Sequence, residues 1–396
     1  MPVVREEFSV SLEIDEHREY LSDQARVSAF RSAIEEVIKP DHVVLDLGCG
    51  TGILGLLACQ AGAKRVYAID QGGMIELARA IFVENGFQDR VRFIKDVSSR
   101  VELPEPVDVV LADQIGHFGF EAGLFEYFGD ARRRFLKPDG VTIPRHLELY
   151  ICPIEFEGMW KHVDFWTSAP AGFDFLPARS LAANTGYPVK FNPEHLLGAP
   201  EVAWSVDPSS CDGGSLSMRA QLNVTRPGTL HGIGGWFVAQ LSPHVTMSNS
   251  PLVAQRINRR NVFFPLDRPI SVQKDDLVFV SMYVLPTQVI VSWNVEVWRT
   301  DPHDPTHTKK TKLGQFSHST LNGMLISRED LQRTKPTSIP TLNPWGQARL
   351  TVLTLCDGQR RLADIEQEVL RRHPKLFPSL TEAATFVAEV VTRYAR

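Results

Sequence analysis

The sequence predicts a parallel, doubly wound α/β domain, then an antiparallel β domain, then a small helical or winged-helix tail. Short apolar runs alternate with helical stretches up to about residue 141, the rhythm of a parallel sheet covered by helices. From about Pro144 the period changes to two, and aromatic and β-branched residues become frequent. Beyond a polar stretch at 327–342 that contains two prolines, helical spacing returns. These changes of pattern divide the chain into 1–141, 142–326, a linker at 327–342, and 343–396. At 396 residues it is also too long for one ordinary domain.

In the first domain Val43–Leu47 is a short apolar run that ends in glycines, and 66–69, 91–94 and 107–112 are further β-type runs. Helical stretches at 53–61 and 74–85 lie between them. In the second, 147–156, 216–224, 277–284 and 289–298 read as strands of a sandwich or barrel. Pro286-Thr287-Gln288 separates the last two as a hairpin turn. An irregular excursion at 160–192 carries Trp160, Phe165, Trp166, Phe173 and Phe175, a pattern of an interface or of packing on its own domain. In the third, one helical face holds Leu350, Leu353 and Thr354, and a second holds Leu362, Ile365, Val369 and Leu370. Phe386, Val387, Val390, Val391 and Tyr394 make the last.

Composition excludes several classes. Forty-two Lys and Arg against 47 Asp and Glu leave a net charge of −5, which argues against a general polyanion binder and against nucleic acid as partner. No apolar run reaches the roughly 18 residues of a membrane span, and residues 1–16 lack the pattern of a signal peptide. Five scattered cysteines without a C-x-x-C argue against zinc and disulfide frameworks, so a cytoplasmic protein with reduced thiols is expected. His303 and His307, beside Lys309 and Lys310, sit in a stretch composed like an exposed loop, and no metal is expected.

The strongest chemical signal is Val43-Val44-Leu45-Asp46-Leu47-Gly48-Cys49-Gly50-Thr51-Gly52, placed where a strand gives way to a helix. Glycines at such a turn let a ligand approach the backbone, and the first N–H groups of the helix face that ligand. Asp70 ends the next strand, 18 residues after Gly52. An acid there suits the hydroxyls of a ribose. No Gly-Lys-Ser/Thr follows, so this is not a Walker loop, and glycines at 48, 50 and 52 do not have the G-x-G-x-x-G spacing. The pattern D-x-G-x-G-x-G, begun by Asp46, resembles motif I of class I S-adenosylmethionine (SAM)-dependent methyltransferases, with Asp70 at their ribose-binding acid.

A narrower resemblance follows. Glu19-Tyr20-Leu21-Ser22-Asp23-Gln24-Ala25-Arg26, then Phe30 and Ile34, resembles the N-terminal helix of protein arginine methyltransferases. It implies that Arg26 reaches the cofactor carboxylate, a task suited to the guanidinium fork. Phe93-Ile94-Lys95-Asp96-Val97-Ser98-Ser99 stands at the family's adenine-binding turn, which makes Asp96, Ser98 and Ser99 candidates. His231-Gly232-Ile233-Gly234-Gly235-Trp236-Phe237, Met247-Ser248-Asn249-Ser250-Pro251 and Phe264-Pro265-Leu266 resemble its barrel signatures. The excursion at 160–192 falls where the family carries a dimerisation arm. The resemblance covers about residues 17–300 and implies a Rossmann-like SAM-binding domain, an antiparallel β-barrel domain and a homodimer.

Methyl transfer is a displacement and needs an in-line nucleophile with an available lone pair. The family holds a substrate guanidinium between two glutamates of one loop and adds a Thr-His-Trp element. Here the loop reads Ala112-Asp113-Gln114-Ile115-Gly116-His117-Phe118-Gly119-Phe120-Glu121-Ala122. Asp113 stands at the first glutamate and Ala122 at the second, with Glu121 just before it, and Ile257-Asn258-Arg259 replaces Thr-His-Trp. Asp113 and Glu121 are the candidates to orient a nucleophile, and His117 to accept its proton. Arg256, Arg259 and Arg260 crowd the same region. Facing the site, they would attract an anionic substrate part and repel a free guanidinium; on the outer surface they would do neither.

In the tail, Leu355-Cys356-Asp357-Gly358-Gln359-Arg360-Arg361-Leu362-Ala363-Asp364-Ile365 resembles the PqqD-like domains that bind leader peptides of ribosomally made natural products. Strand addition to a sheet edge is the recognition mode that this implies. A DNA-binding helix-turn-helix competes, but eight Lys and Arg against six Asp and Glu from Pro344 onward are poor for phosphate contacts. The sequence therefore predicts a SAM-dependent methyltransferase that modifies a side chain, at nitrogen by resemblance, of a peptide or amino-acid-like substrate, with S-adenosylhomocysteine as product. Two alternatives stay open: a methyltransferase of a free amino acid or small natural product with a structural tail, and a non-catalytic SAM-fold binding protein.

Overall fold

The computed structural model describes residues 3–211, 214–300 and 310–395. His303 and His307 lie outside the described residues. The chain forms two compact units, Met1–Met324 and Leu325–Arg396.

Helices α1 (Val3–Ser22) and α2 (Gln24–Val37) lead into β1 (Val43–Leu47), α3 (Ile53–Gln60), β2 (Arg65–Asp70), α4 (Met74–Glu84), β3 (Val91–Lys95), β4 (Val107–Leu111), α5 (Leu124–Arg134) and β5 (Leu136–Ile143). Asp23 separates the first two helices and caps α2 by accepting the Arg26 N–H at 3.2 Å, one of the N–H groups a helix start leaves open. Behind that cap α2 buries Phe30, Ala33 and Ile34, the i, i+3, i+4 stripe of a helix on a core. The strands pair in parallel in the order β3-β2-β1-β4-β5. All five residues of β1 are buried, as in a central strand with both faces covered. The order reverses between β1 and β4, and ligands of such sheets bind at the carboxyl ends of the strands beside that reversal. The glycine turn follows β1 there, and the 113–121 loop follows β4.

The second half of this unit comprises β6 (His146–Ile154), α6 (Glu157–Asp164), α7 (Leu176–Ala183), β7 (Tyr187–Val189), β8 (Glu201–Val206), β9 (Leu216–Asn223), β10 (Gly228–Gln240), β11 (Thr246–Ser248), β12 (Asn261–Val272), β13 (Leu277–Leu285), β14 (Ile290–Thr300) and β15 (Lys310–Ser319). One antiparallel sheet runs β7-β12-β10-β6-β8 with β11 on β10, and a second runs β15-β14-β13-β9. The expected barrel is therefore not a closed ladder. Among the described residues no ladder pairs the two sheets, and an isolated bridge, Gly198 to Val224, joins them near their edge. Strands β10 and β12 are long but glycine- or proline-containing, which weakens the period-two signal. At Gly232 the partner strand comes so close that a Cβ would collide with the Phe264 carbonyl, and the ladder shifts register there. The aromatic excursion folds into α6 and α7 and leaves Phe165, Phe173, Phe175 and Leu176 exposed.

The C-terminal unit packs α9 (Pro344–Leu355), α10 (Leu362–Arg372) and α11 (Leu380–Tyr394) around their own core of Val352, Ile365, Val369, Phe377 and Val387. A short helix, α8 (Arg328–Arg333), precedes them. It lies inside the stretch expected as linker, where Ser327 and Asp330 cap each other reciprocally. In α9 the buried face is Ala348, Val352 and Leu355, while Leu350 and Leu353 are exposed. The helices expected of a winged-helix tail are present. No strand occurs among the described residues of this unit, so there is no wing and no sheet edge for a peptide strand.

Candidate active site

The glycine turn after β1 is shaped by three left-handed residues, Gly48 (φ 66°), Gly50 (φ 52°) and Gly52 (φ 80°). At two of them the space matters as much as the angle. A Cβ on Gly48 would collide with the Gln114 amide, and one on Gly50 with the His17 ring. Asp46 lies under the turn, fully buried, and accepts the Gly55 N–H of α3 at 2.9 Å. Burial pushes its carboxyl up to about 7, with the nearby Asp70 charge adding to the shift and the Gly55 N–H opposing it. Asp46 thus fixes the entry of α3 and does not face the cleft.

Asp70 shapes the other wall. Its carboxylate accepts the Gly50 N–H at 2.9 Å and the Gly72 N–H at 2.7 Å. A carboxylate has about four acceptor sites, so capacity remains for two ligand hydroxyls. Leu47, Gly48, Ile69, Gln71, Asp96, Val97, Ser98, Gln114 and Tyr127 complete the cleft. Asp96 and Ser98 are therefore brought beside Asp70, whereas Ser99 is not among the lining residues.

Gln114 went unrecognised in the sequence. Its Oε1 is buried without a hydrogen-bond partner, an acceptor held ready at the cleft wall. His17, also unrecognised, projects from α1 onto the glycine turn. A neighbour ten or more residues from the motif gives no local signal of either contact.

The loop after β4 gathers the charged groups. The Asp113 carboxylate is 7% exposed and lies between two guanidinia. Arg26 donates to it through Nε, and Arg259 donates a bidentate pair at 3.1 and 3.2 Å. The Tyr20 ring lies against both, 5.4 Å from the Arg26 carbon and 5.9 Å from that of Arg259. Burial alone would raise the Asp113 carboxyl, but Arg259 and Arg26 outweigh it and hold it below its ordinary value. Losing Asp113 would leave two buried cations uncompensated, a cost of about 3–5 kcal/mol.

Glu121 turns back into its own loop. Its carboxylate accepts the Phe118 N–H at 2.9 Å and the Phe120 N–H at 3.2 Å, beside Gly116 in a left-handed turn. Burial raises its pKa against those bonds. Glu121 therefore shapes the loop rather than pairing across the cleft with Asp113. The His117 imidazole is held below its ordinary pKa by burial first and then by Arg259 and Arg260, so it is neutral at pH 7 with Nδ1 unpartnered. Asn249 ties this loop to the one before β12, donating to the carbonyls of His117 at 2.9 Å and Arg260 at 2.8 Å. Asp23 fastens the same region to α2 by accepting the Asn258 N–H at 2.7 Å. Of the three arginines, Arg259 is inside the site, Arg256 donates to the Phe191 carbonyl at 2.8 Å, and Arg260 is exposed.

Comparisons with known proteins agree with this geometry. The family described as ribosomal protein L11 methyltransferase (PrmA) matches residues 31–143. The arginine methyltransferase oligomerization subdomain matches 146–296. The chain is 32% identical to the probable protein arginine N-methyltransferase 6 of Arabidopsis thaliana over 57% of its own length, and spans 54%, about half, of that relative. It is 31% identical to protein arginine N-methyltransferase 1 of Chlamydomonas reinhardtii over 66% of this chain and 78% of that protein. Among solved structures, the Trypanosoma brucei PRMT1 enzyme-prozyme heterotetrameric complex with AdoHcy aligns at TM-score 0.66 and 21% identity, over 76% of this chain and 97% of that one. Arabidopsis thaliana protein arginine methyltransferase 10 aligns at the same score and identity over 77% and 97%. These two show a shared fold. The residues present also fit S-adenosylmethionine: two open acceptor sites on Asp70, the orphan Oε1 of Gln114, and a glycine turn that a side chain would strain. Because the chain is 31% identical to the Chlamydomonas protein and covers 78% of it, this chain belongs to the protein arginine N-methyltransferase family and is a SAM-dependent methyltransferase.

Proposed function

We propose that the protein transfers a methyl group to a side-chain nitrogen of a protein or peptide. The observation that carries this reading is the placement of the Asp70 cleft directly beside the Asp113–His117 loop, through the shared wall residue Gln114. S-adenosylmethionine, when bound, supplies an electrophilic methyl on a sulfonium. Asp70 would hold the ribose hydroxyls, with Asp96 and Ser98 along the adenine side. Arg26 would meet the cofactor carboxylate with the guanidinium edge that Asp113 leaves open. His117, neutral and unpartnered at Nδ1, would take the proton that the acceptor nitrogen releases. The relatives' names, all arginine N-methyltransferases, support nitrogen as acceptor and polypeptide as substrate.

The finer substrate, a ribosomally made natural-product precursor seated by the C-terminal unit, rests on the motif at 355–365. Assembly as a homodimer through the 160–192 excursion is supported by its exposed aromatic residues and by the oligomerization subdomain that spans it. The test is methyl-labelled SAM with the full chain and a cell extract, separated into polypeptide and small-molecule fractions. Label in polypeptide is expected; label only in small molecules would refute the reading. In parallel, Asp70→Ala should weaken S-adenosylhomocysteine binding about tenfold or more by calorimetry, the loss of charge-assisted bonds to two hydroxyls. Unchanged affinity would remove Asp70 from the site.

A further inference from the structure

We propose that Arg259 occupies the position a substrate guanidinium would need, so that this enzyme takes an uncharged nitrogen acceptor instead of an arginine. The inference rests on the methyltransferase reading above. Arg259 grips both oxygens of Asp113 through its two terminal nitrogens, in the fork-to-fork geometry that an arginine substrate would use. Asp113 is the one carboxylate of the loop that faces the site, and Arg26 holds it from the other side. Three of its roughly four acceptor sites are taken by N–H donors from two buried cations, which leaves too few for a second bidentate grip. Glu121 offers no second grip, because its oxygens serve the amides of Phe118 and Phe120.

The charge balance leads to the same substrate class. Arg26, Asp113 and Arg259 together carry one positive charge, and the Tyr20 ring lies against both guanidinia. A cofactor carboxylate on Arg26 would be offset by the ammonium and sulfonium of the same molecule, so the site would stay cationic. An arriving guanidinium would then be a desolvated cation beside Arg259 with no carboxylate open to a bidentate grip, a like-charge contact that selects against it. A neutral nitrogen carries no such penalty. It attacks with its lone pair, gains the methyl carbon and a positive charge as the leaving thioether keeps the C–S electron pair, and regains neutrality by giving its N–H proton to His117. Arg259 is thus a specificity residue, and the three unmatched positions of the arginine clamp (Asp113, Ala122 and Arg259) form one consistent set.

Two S-adenosylhomocysteine derivatives test this by calorimetry, without any need for the natural substrate. Each carries a short alkyl chain at the position of the transferred methyl, ending in a guanidinium in one and in the isosteric neutral urea in the other. The wild-type chain should bind the urea derivative at least tenfold more tightly. Arg259→Leu and Arg259→Gln, checked for folding by circular dichroism, should lose or reverse that preference. Equal or tighter binding of the guanidinium derivative by the wild type would overturn the proposal, as would a preference that both variants retain. Failure of both derivatives while S-adenosylhomocysteine still binds would also overturn it, since the acceptor position would then not adjoin the cofactor. Failure of S-adenosylhomocysteine itself would instead refute the cofactor assignment on which the proposal rests.

Discussion

His318 shows what a single buried residue can cost. It is 6% exposed, stacks on Trp293 at 5.2 Å, and neither ring nitrogen has a hydrogen-bond partner. An unsatisfied buried polar group costs about 1–3 kcal/mol. Burial also lowers its pKa below the ordinary value. In the window between that lowered value and about 6.5 the unfolded chain binds the proton and the folded chain does not. Stability therefore falls as the pH drops through 6.5 and is unaffected by this group above it. His117 and His231 are shifted in the same direction by burial and add to the effect. We expect His318→Leu, close in volume and without polar atoms, to raise the melting temperature by about 1–2 °C at pH 7.5, the shift that roughly 1 kcal/mol produces in a unit as large as Met1–Met324. The gain should be larger at pH 5.5. Melting curves of both proteins at the two pH values check this, and an equal shift at both would remove the histidine from the acid response.

Helix α1 is the element whose placement most affects the cofactor cleft. The cleft encloses about 90 Å³, whereas pockets for ligands of nucleoside size or larger run to roughly 300 Å³ and above. The His17 ring lies over Gly50 and the Gln114 amide over Gly48, along the path a ligand would take across the turn. We expect ligand binding to displace these two side chains and, with His17, the part of α1 that carries it. S-adenosylhomocysteine should then change hydrogen exchange in residues 13–22 while leaving β1 and β2 unchanged, and an unaltered α1 would show that the cleft opens by side-chain rotation alone. This coupling was not legible in the sequence, whereas β1, α3 and β2 were. The latter follow from apolar runs and glycines a few residues apart. The former depends on contacts between residues 33 or more positions apart. The same contrast holds inside the site. Asp70 announced itself through its distance from Gly52, and the loop Asp113–Ala122 through its likeness to a known pattern. That Arg259 reaches Asp113, 146 residues away, is an outcome of tertiary packing that no local spacing encodes, and Glu121 turns inward because its carboxylate accepts amides of its own loop. The open edge between β8 and β9 was hidden for a related reason, since period-two alternation shows which residues face a core and not whether the ladder closes.

At the scale of the whole chain, two cores imply two separable stabilities. Val352, Ile365, Val369, Phe377 and Val387 form a core within the C-terminal unit, and the residues of the cofactor cleft and the 160–192 excursion all belong to Met1–Met324. Domains with their own cores can unfold independently, so their removal need not destabilise what remains. Removal of residues 325–396 should therefore leave the melting transition of the first unit and its S-adenosylhomocysteine affinity within about twofold of the full chain. Sedimentation should still report a dimer, because the proposed arm is retained. Methyl transfer to the polypeptide found by labelling is expected to fall by tenfold or more, chiefly through KM, if the C-terminal unit holds the substrate near the site. A KM-selective loss with intact cofactor binding would mean that this unit recognises the substrate by helical surface, since its described residues offer no strand edge. Unchanged kcat and KM would assign recognition wholly to the first unit, and loss of the dimer would place the subunit contact in the C-terminal unit instead of the arm.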